Sequence, residues 1–143
     1  MHVKIVDVAQ WNKGKMFEQY QKLGKYPIIS CSVEVDVTRI HKAARRERTS
    51  FWLMFIHAIG QTINHFEAFR HRVVLDQVIL FDHIKVRLAT LDKARRYYFM
   101  LLPLAGSLTE LRAAYKAEKR RMEALPVEER ETPTPPNCFV LNI

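Results

Sequence analysis

The sequence predicts a single α/β domain over residues 1–143. Three observations carry that expectation. Apolar residues recur at helical spacing over 11–23, 51–63 and 108–124, strict period-two alternation runs through 29–38, and short β-type segments cluster between residues 70 and 91. The composition, 48% hydrophobic and 27% charged over 143 residues, is that of an ordinary globular chain. A chain of this length buries about two-thirds of its unfolded surface.

Val3 to Val8 is apolar enough for a short strand or an extended arm. Trp11 to Leu23 reads as a helix, with Met16, Phe17, Tyr20 and Leu23 at helical spacing, and Pro27 interrupts it. Ile29, Cys31, Val33, Val35 and Val37 then alternate with Ser30, Ser32, Glu34, Asp36 and Thr38, the pattern of a strand with one buried face. Asp36 or Thr38 is placed to cap a helix running to about Arg48, and Thr49 or Ser50 to start a third. That third helix has apolar residues on more than one side, which predicts a central, well-buried position. Arg70–Leu75, Val78–Phe81 and Ile84–Leu91 read as strands, the first two joined by a tight turn at Leu75-Asp76-Gln77 that lacks the usual glycine. Tyr97–Leu104 is an apolar stretch broken by Pro103. Gly106 and Ser107 lead into a helix from Leu108 to about Ala124 whose outer face is basic. Residues 126–137 carry several prolines and carboxylates and read as an exposed loop. Residues 138–143 read as a half-buried strand; a finished domain seldom stops partway through one, because ladder groups and an apolar face are left uncovered, so a continuation beyond Ile143 is expected.

The net charge is +8 and comes largely from three clusters: Arg39, Lys42, Arg45, Arg46 and Arg48; Lys93, Arg95 and Arg96; Lys116, Lys119, Arg120 and Arg121. Such a surplus fits a solvated basic face and also favours anionic partners, whether nucleic acid or a phosphate-bearing cofactor such as coenzyme A. No stacking aromatics interleave with the basic runs, so nucleic acid is not the expected partner. No apolar run approaches the ~20 residues of a membrane span and no leader-like N-terminus is present, which makes the expected location cytoplasmic, with no membrane partner. Cys31 and Cys138 lie far apart outside any CxxC pattern and read as reduced core residues.

No catalytic centre is complete on residue grounds. The histidines, His2, His41, His57, His65, His71 and His83, form no metal-ligand spacing, and no metal is expected. His57 and His65 read as core histidines on the third helix. GxSxG, Walker and GxGxxG motifs are all absent. Asp76 and Asp82 flank one strand and read as turn-capping groups.

Trp11 two residues before Lys13, Phe17-Glu18-Gln19-Tyr20, Val33-Glu34-Val35-Asp36-Val37-Thr38, the run Phe51 to Ile59, Ile63-Asn64, Glu67-Ala68-Phe69-Arg70 and Asp76 to Asp82 stand in an order and spacing that resemble the N-terminal two-thirds of chloramphenicol acetyltransferase. Residues 105–137 match least well. The resemblance implies a homotrimer of two-layer α/β subunits, with a mixed sheet and helices on one side, and an active site at each subunit interface. There a histidine of an HHxxxDG motif acts as general base on an acceptor hydroxyl that attacks acetyl-CoA. A serine of an SxxPW segment supports the oxyanion. This is the chemistry of antibiotic resistance by acetylation, with acetyl-CoA as co-substrate and a small hydroxylated acceptor such as chloramphenicol.

Neither motif occurs in these residues. A positioned base is worth roughly 10²–10⁴ in rate and an oxyanion donor about 10²–10³, so the chain as given is expected to be inactive alone. Lys13 stands where the family has an arginine, without its bidentate fork. The resemblance places Tyr20, Tyr26, Ala89, Tyr98 and Leu125 at or near positions that line the acceptor pocket, and Gln19 replaces an aromatic there. Tyr20 and Tyr98 read equally as amphipathic core residues. The rival functions are a non-enzymatic module that binds a small molecule or coenzyme A or self-associates, and a basic nucleic-acid binder.

Overall fold

Among the residues that a computed structural model describes, 2–24, 30–130 and 134–142, four helices accompany two three-stranded sheets. The strands are β1 (Val3–Ile5), β2 (His71–Val74), β3 (Gln77–Phe81), β4 (Lys85–Leu91), β5 (Tyr97–Pro103) and β6 (Cys138–Leu141). The helices are α1 (Gly14–Lys22), α2 (Thr38–Arg46), α3 (Phe51–His65) and α4 (Leu108–Ala124). The expected α/β class is observed, but the mixed sheet is divided. One sheet is antiparallel in the order β1-β3-β2, and the other runs β5-β4-β6 with β4 antiparallel to β5 and parallel to β6.

The second sheet organises the core. Antiparallel register pairs Val86 with Leu102, Leu88 with Met100 and Thr90 with Tyr98, so these side chains share one face. Ile56 of α3, with Leu111 and Met122 of α4, closes over that face, and Phe139 and Leu141 of β6 extend it. Met100, Leu102, Val86 and Met122 are wholly excluded from solvent. Each such side chain contributes roughly 1.5–3 kcal/mol by leaving water. At the crossing of α3 and the end of β5, a Cβ on Gly60 would meet the Leu104 side chain at 2.9 Å, so only glycine permits this approach.

The local signals for several elements are visible in the geometry. Ser50 caps α3 by accepting from the Leu53 amide at 3.1 Å. Ser107 and Glu110 form a capping box at α4: the Glu110 amide donates to the Ser107 hydroxyl at 3.2 Å, and the Ser107 amide donates to the Glu110 carboxylate at 2.7 Å. The β2–β3 turn places both Leu75 and Asp76 at positive φ, 48° and 61°, between the paired residues Val74 and Gln77. That is the two-residue geometry for which glycine and asparagine are usual.

Several expectations are corrected. Residues 30–37 form no strand: the alternation is there, but no described strand lies beside it, and Val33 and Val35 are 74% and 63% exposed. Cys31, expected in the core, is exposed, whereas Cys138 is buried. Helix α3 is not central; only Ile56 and Gly60 are buried and Trp52 is half exposed, because the neighbours α2 and α4 and the sheet core leave part of its circumference to solvent. His65 is exposed beside Phe66, and His57 is half-buried near the Gly106 carbonyl at 3.4 Å, so neither is a core histidine. The proline-rich loop is exposed over 126–129, but Arg130 and Asn137 tie it down, and Asn137 is 4% exposed.

Candidate functional site

Two surfaces gather chemistry. The first is a groove of about 400 Å³ along α2, lined by Val37, Thr38, His41, Lys42, Arg45 and Phe51. Thr38, His41, Lys42 and Arg45 stand at helical spacing and so share one side of α2. Phe51, at the start of α3, closes the groove with its ring 6.1 Å from that of His41 and stacked on Phe55 at 5.8 Å. Asp36 holds the first turn of α2 by accepting from the Thr38 amide at 2.8 Å, and hydrogen bonding to Thr38 keeps its carboxyl below the usual range. Neither Lys42 nor Arg45 has an ion-pair partner among the described residues, so the groove carries uncompensated positive charge. A phosphate-bearing ligand is the chemistry such a groove suits.

The second surface is the face of the β5-β4-β6 sheet turned away from α3 and α4. Alternation puts Lys85, Arg87, Ala89 and Leu91 of β4 there, with Tyr97, Phe99 and Leu101 of β5 and Cys138 and Val140 of β6. Ala89 is paired directly with Phe99. The Arg87 guanidinium lies over the Phe99 ring, 3.5 Å from its centroid. Cys138 is buried on this side, and burial pushes its thiol up while Arg72 and Arg87 pull it down.

The site residues expected from the sequence do not form one cluster. Tyr98 and Leu125 both belong to the core side of the sheet: Tyr98 is 2% exposed, and Leu125 packs against the buried cluster that includes it. The buried Tyr98 hydroxyl has no hydrogen-bond partner among the described residues, and burial raises its pKa. Ala89 lies on the opposite face, one strand away. Tyr20 stands on exposed α1, whose Gln21 donates to the Asp76 carbonyl of the β2–β3 turn at 3.4 Å, and Tyr26 lies outside the described residues. Reading the chain residue by residue missed Phe99 and Arg87. The signal available was the alternation itself, since an inward Thr90 and Tyr98 force Ala89 and Phe99 outward together. It also missed the 38-41-42-45 spacing, which separates the groove-facing cations from the rest of the basic cluster. Among the described residues no group of histidine, cysteine and carboxylate side chains is placed to hold a metal ion, and no helix is long and apolar enough to cross a membrane.

A model of the family described as chloramphenicol acetyltransferase matches residues 1–124. Chloramphenicol acetyltransferases of a Klebsiella species and of Escherichia coli are each 24% identical over 79 residues, 55% of this chain and 36% of theirs. That of Proteus mirabilis is 24% identical over 82 residues, 57% of this chain and 37% of its own. The match thus spans little more than a third of these relatives. A solved structure of a chloramphenicol acetyltransferase superposes with a TM-score of 0.76 at 18% identity, covering 99% of this chain and 69% of the other, which establishes the shared fold.

Proposed function

As the chain belongs to the chloramphenicol acetyltransferase family, we propose that its parent activity is transfer of acetyl from acetyl-CoA to a hydroxyl of a small acceptor such as chloramphenicol. The observation that carries the donor half is the α2 groove, where His41, Lys42 and Arg45 converge beside the Phe51 ring with no carboxylate partner for the two permanent cations among the described residues. Coenzyme A is rich in phosphate, and charge-assisted hydrogen bonds to phosphate oxygens are worth about 1.5–3 kcal/mol each. The acceptor is assigned to the outward face of the β5-β4-β6 sheet at Ala89 and Phe99. This keeps Ala89 as an acceptor residue and leaves Tyr98 and Leu125 beneath the sheet as support for it.

The general base and oxyanion serine that the family resemblance calls for are not among these 143 residues: no His-His pair and no SxxPW segment occurs in them. The chain on its own therefore binds rather than turns over. Subunits assemble as a homotrimer in this reading, and the exposed Val33 and Val35 support burial against further protein.

Calorimetry with coenzyme A tests the donor assignment. Saturable binding is expected, and Lys42→Glu with Arg45→Glu should weaken it about tenfold or more. Binding untouched by both substitutions would move the donor elsewhere. Free-thiol release from acetyl-CoA in the presence of chloramphenicol should stay at background; clear turnover by the 143-residue chain would overturn the assignment of the base. The missing motifs also favour a second reading, a module that binds a small molecule without chemistry, and saturable binding with no turnover in any assembly containing this chain would select it.

A further inference from the structure

Between the two sheets, the outer edges of β2 and β6 face one another. A two-residue hairpin begins on a hydrogen-bonded pair, here Val74 with Gln77, so alternation turns the amides and carbonyls of His71 and Val73 to the outer edge of β2. The Lys85 amide donates to the Asn137 carbonyl at 2.8 Å, which sets the pattern of the β4–β6 ladder and leaves the backbone groups of Cys138 and Val140 on the far edge of β6. One guanidinium spans the interval: Arg72 donates to the Phe69 and His71 carbonyls at 2.8 and 2.7 Å, and to the Cys138 carbonyl at 3.4 Å. Paired strands lie about 4.8 Å apart, and strands that flank a third lie roughly twice that distance apart. No ladder joins β2 to β6 among the described residues, and a guanidinium bonded on both sides fills an interval of the wider kind. Arg72 is partly withdrawn from water there, and it meets neutral carbonyls and no carboxylate among the described residues. Segment 30–37 has the converse lack. It alternates like a strand but has no described neighbour, Val33 and Val35 are exposed, and Glu34 between them has no ion-pair partner among the described residues. Asp36 fastens its end to Thr38 of α2, and α2 packs on α3.

We propose that residues 30–37 of a second copy insert between β2 and β6, adding a strand that joins the two sheets and places Glu34 against Arg72. The inference rests on the self-association in the proposed function and names the contact that produces it. The added strand gives both edges main-chain hydrogen bonds, and its alternation takes Val33 and Val35 out of water together. The Glu34 carboxylate gives a partly desolvated guanidinium the charged partner it lacks. Eight residues at ~3.3 Å each reach about 26 Å, ample for edges that are four residues long. Each copy gives one strand and receives one, a heterologous contact of the kind that closes into a ring of three.

Sedimentation velocity and amide hydrogen exchange, run on the same samples over a concentration series, test this. Association should slow exchange at the amides of His71, Val73, Cys138 and Val140 and at alternate amides of 30–37. Glu34→Arg and Arg72→Glu should each weaken association about tenfold, and the two combined should recover most of it. Glu34→Arg lies on an exposed segment and leaves the fold of one copy intact, so it carries the test alone if Arg72→Glu lowers the melting temperature. Association without protection of these edges, or association untouched by Glu34→Arg, overturns the inserted strand and leaves the assembly standing. A monomer at every concentration overturns both. Protection of both edges in a monomer assigns the strand to the chain's own segment and overturns the exchange between copies.

Discussion

Asp92 shows how much one side chain can hold together. Its carboxylate accepts from the Ala94 and Arg96 amides at 2.8 and 2.9 Å, pairs with the Arg96 guanidinium at 2.9 Å, and receives Arg130 at 2.8 Å from the loop beyond α4. Arg130 also donates to the Leu125 carbonyl at 3.0 Å and lies over Tyr98. The Arg96 backbone hydrogen bond leads the group of interactions that pulls the Asp92 pKa down to about 2, from 3.8. A depressed folded-state pKa contributes stability that is complete above pH 3.8 and is lost as pH falls from there to about 2. Asp92→Asn should therefore lower the melting temperature at neutral pH, and the gap to the unaltered chain should close when melts are repeated near pH 2. Equal melts at neutral pH would show the hairpin tip and the loop to be independent. Gly60 makes a second residue-scale case. Gly60→Ala forces a Cβ to 2.9 Å from Leu104, an overpacking expected to cost about 1–3 kcal/mol in denaturant unfolding.

At the scale of elements, the capping box and the β2–β3 turn are opposites. Helix α4 begins where local chemistry says it should, with Ser107 and Glu110 each satisfying the other's amide, so Ser107→Ala should destabilise by about 0.5–2 kcal/mol. The turn works against local preference: Leu75 and Asp76 both occupy the left-handed region, and Leu75 is 92% exposed with no packing to offset the strain. Replacing the pair by Asn-Gly should raise stability by roughly 1 kcal/mol, read from the denaturant midpoint at unchanged slope. A lower midpoint would mean that Leu75 has a contact partner in solution. Helix α4 and the β2–β3 hairpin were legible in the sequence because their determinants lie within a few residues of one another. The 30–37 segment was misjudged because period-two alternation reports which side of a strand would be buried and says nothing about whether a neighbouring strand exists.

For the molecule as a whole, exposed apolar side chains occur on the edge strand β1 (Val3 and Ile5), on α1 (Met16, Tyr20 and Leu23), on the unpaired segment (Val33 and Val35) and on the second sheet (Leu91, Tyr97 and Val140). Apolar side chains left in water favour association that covers them. Sedimentation velocity should show concentration-dependent self-association, and Val33→Lys with Val35→Lys should reduce it; a monomer at all concentrations would contradict the oligomeric part of the proposed function.

The sequence by itself determined the α/β class, the order of most elements, the approximate starts of α3 and α4 and the family, because periodicity, helix-start signals and the order of short motifs are properties of neighbouring positions. The tertiary structure decided the rest. It split the strands into two sheets, left most of α3 only partly buried, and put Ala89 and Tyr98 on opposite faces. Each of those outcomes depends on which strand pairs with which and in what register, and a one-residue change of register moves every side chain of a strand to the other face.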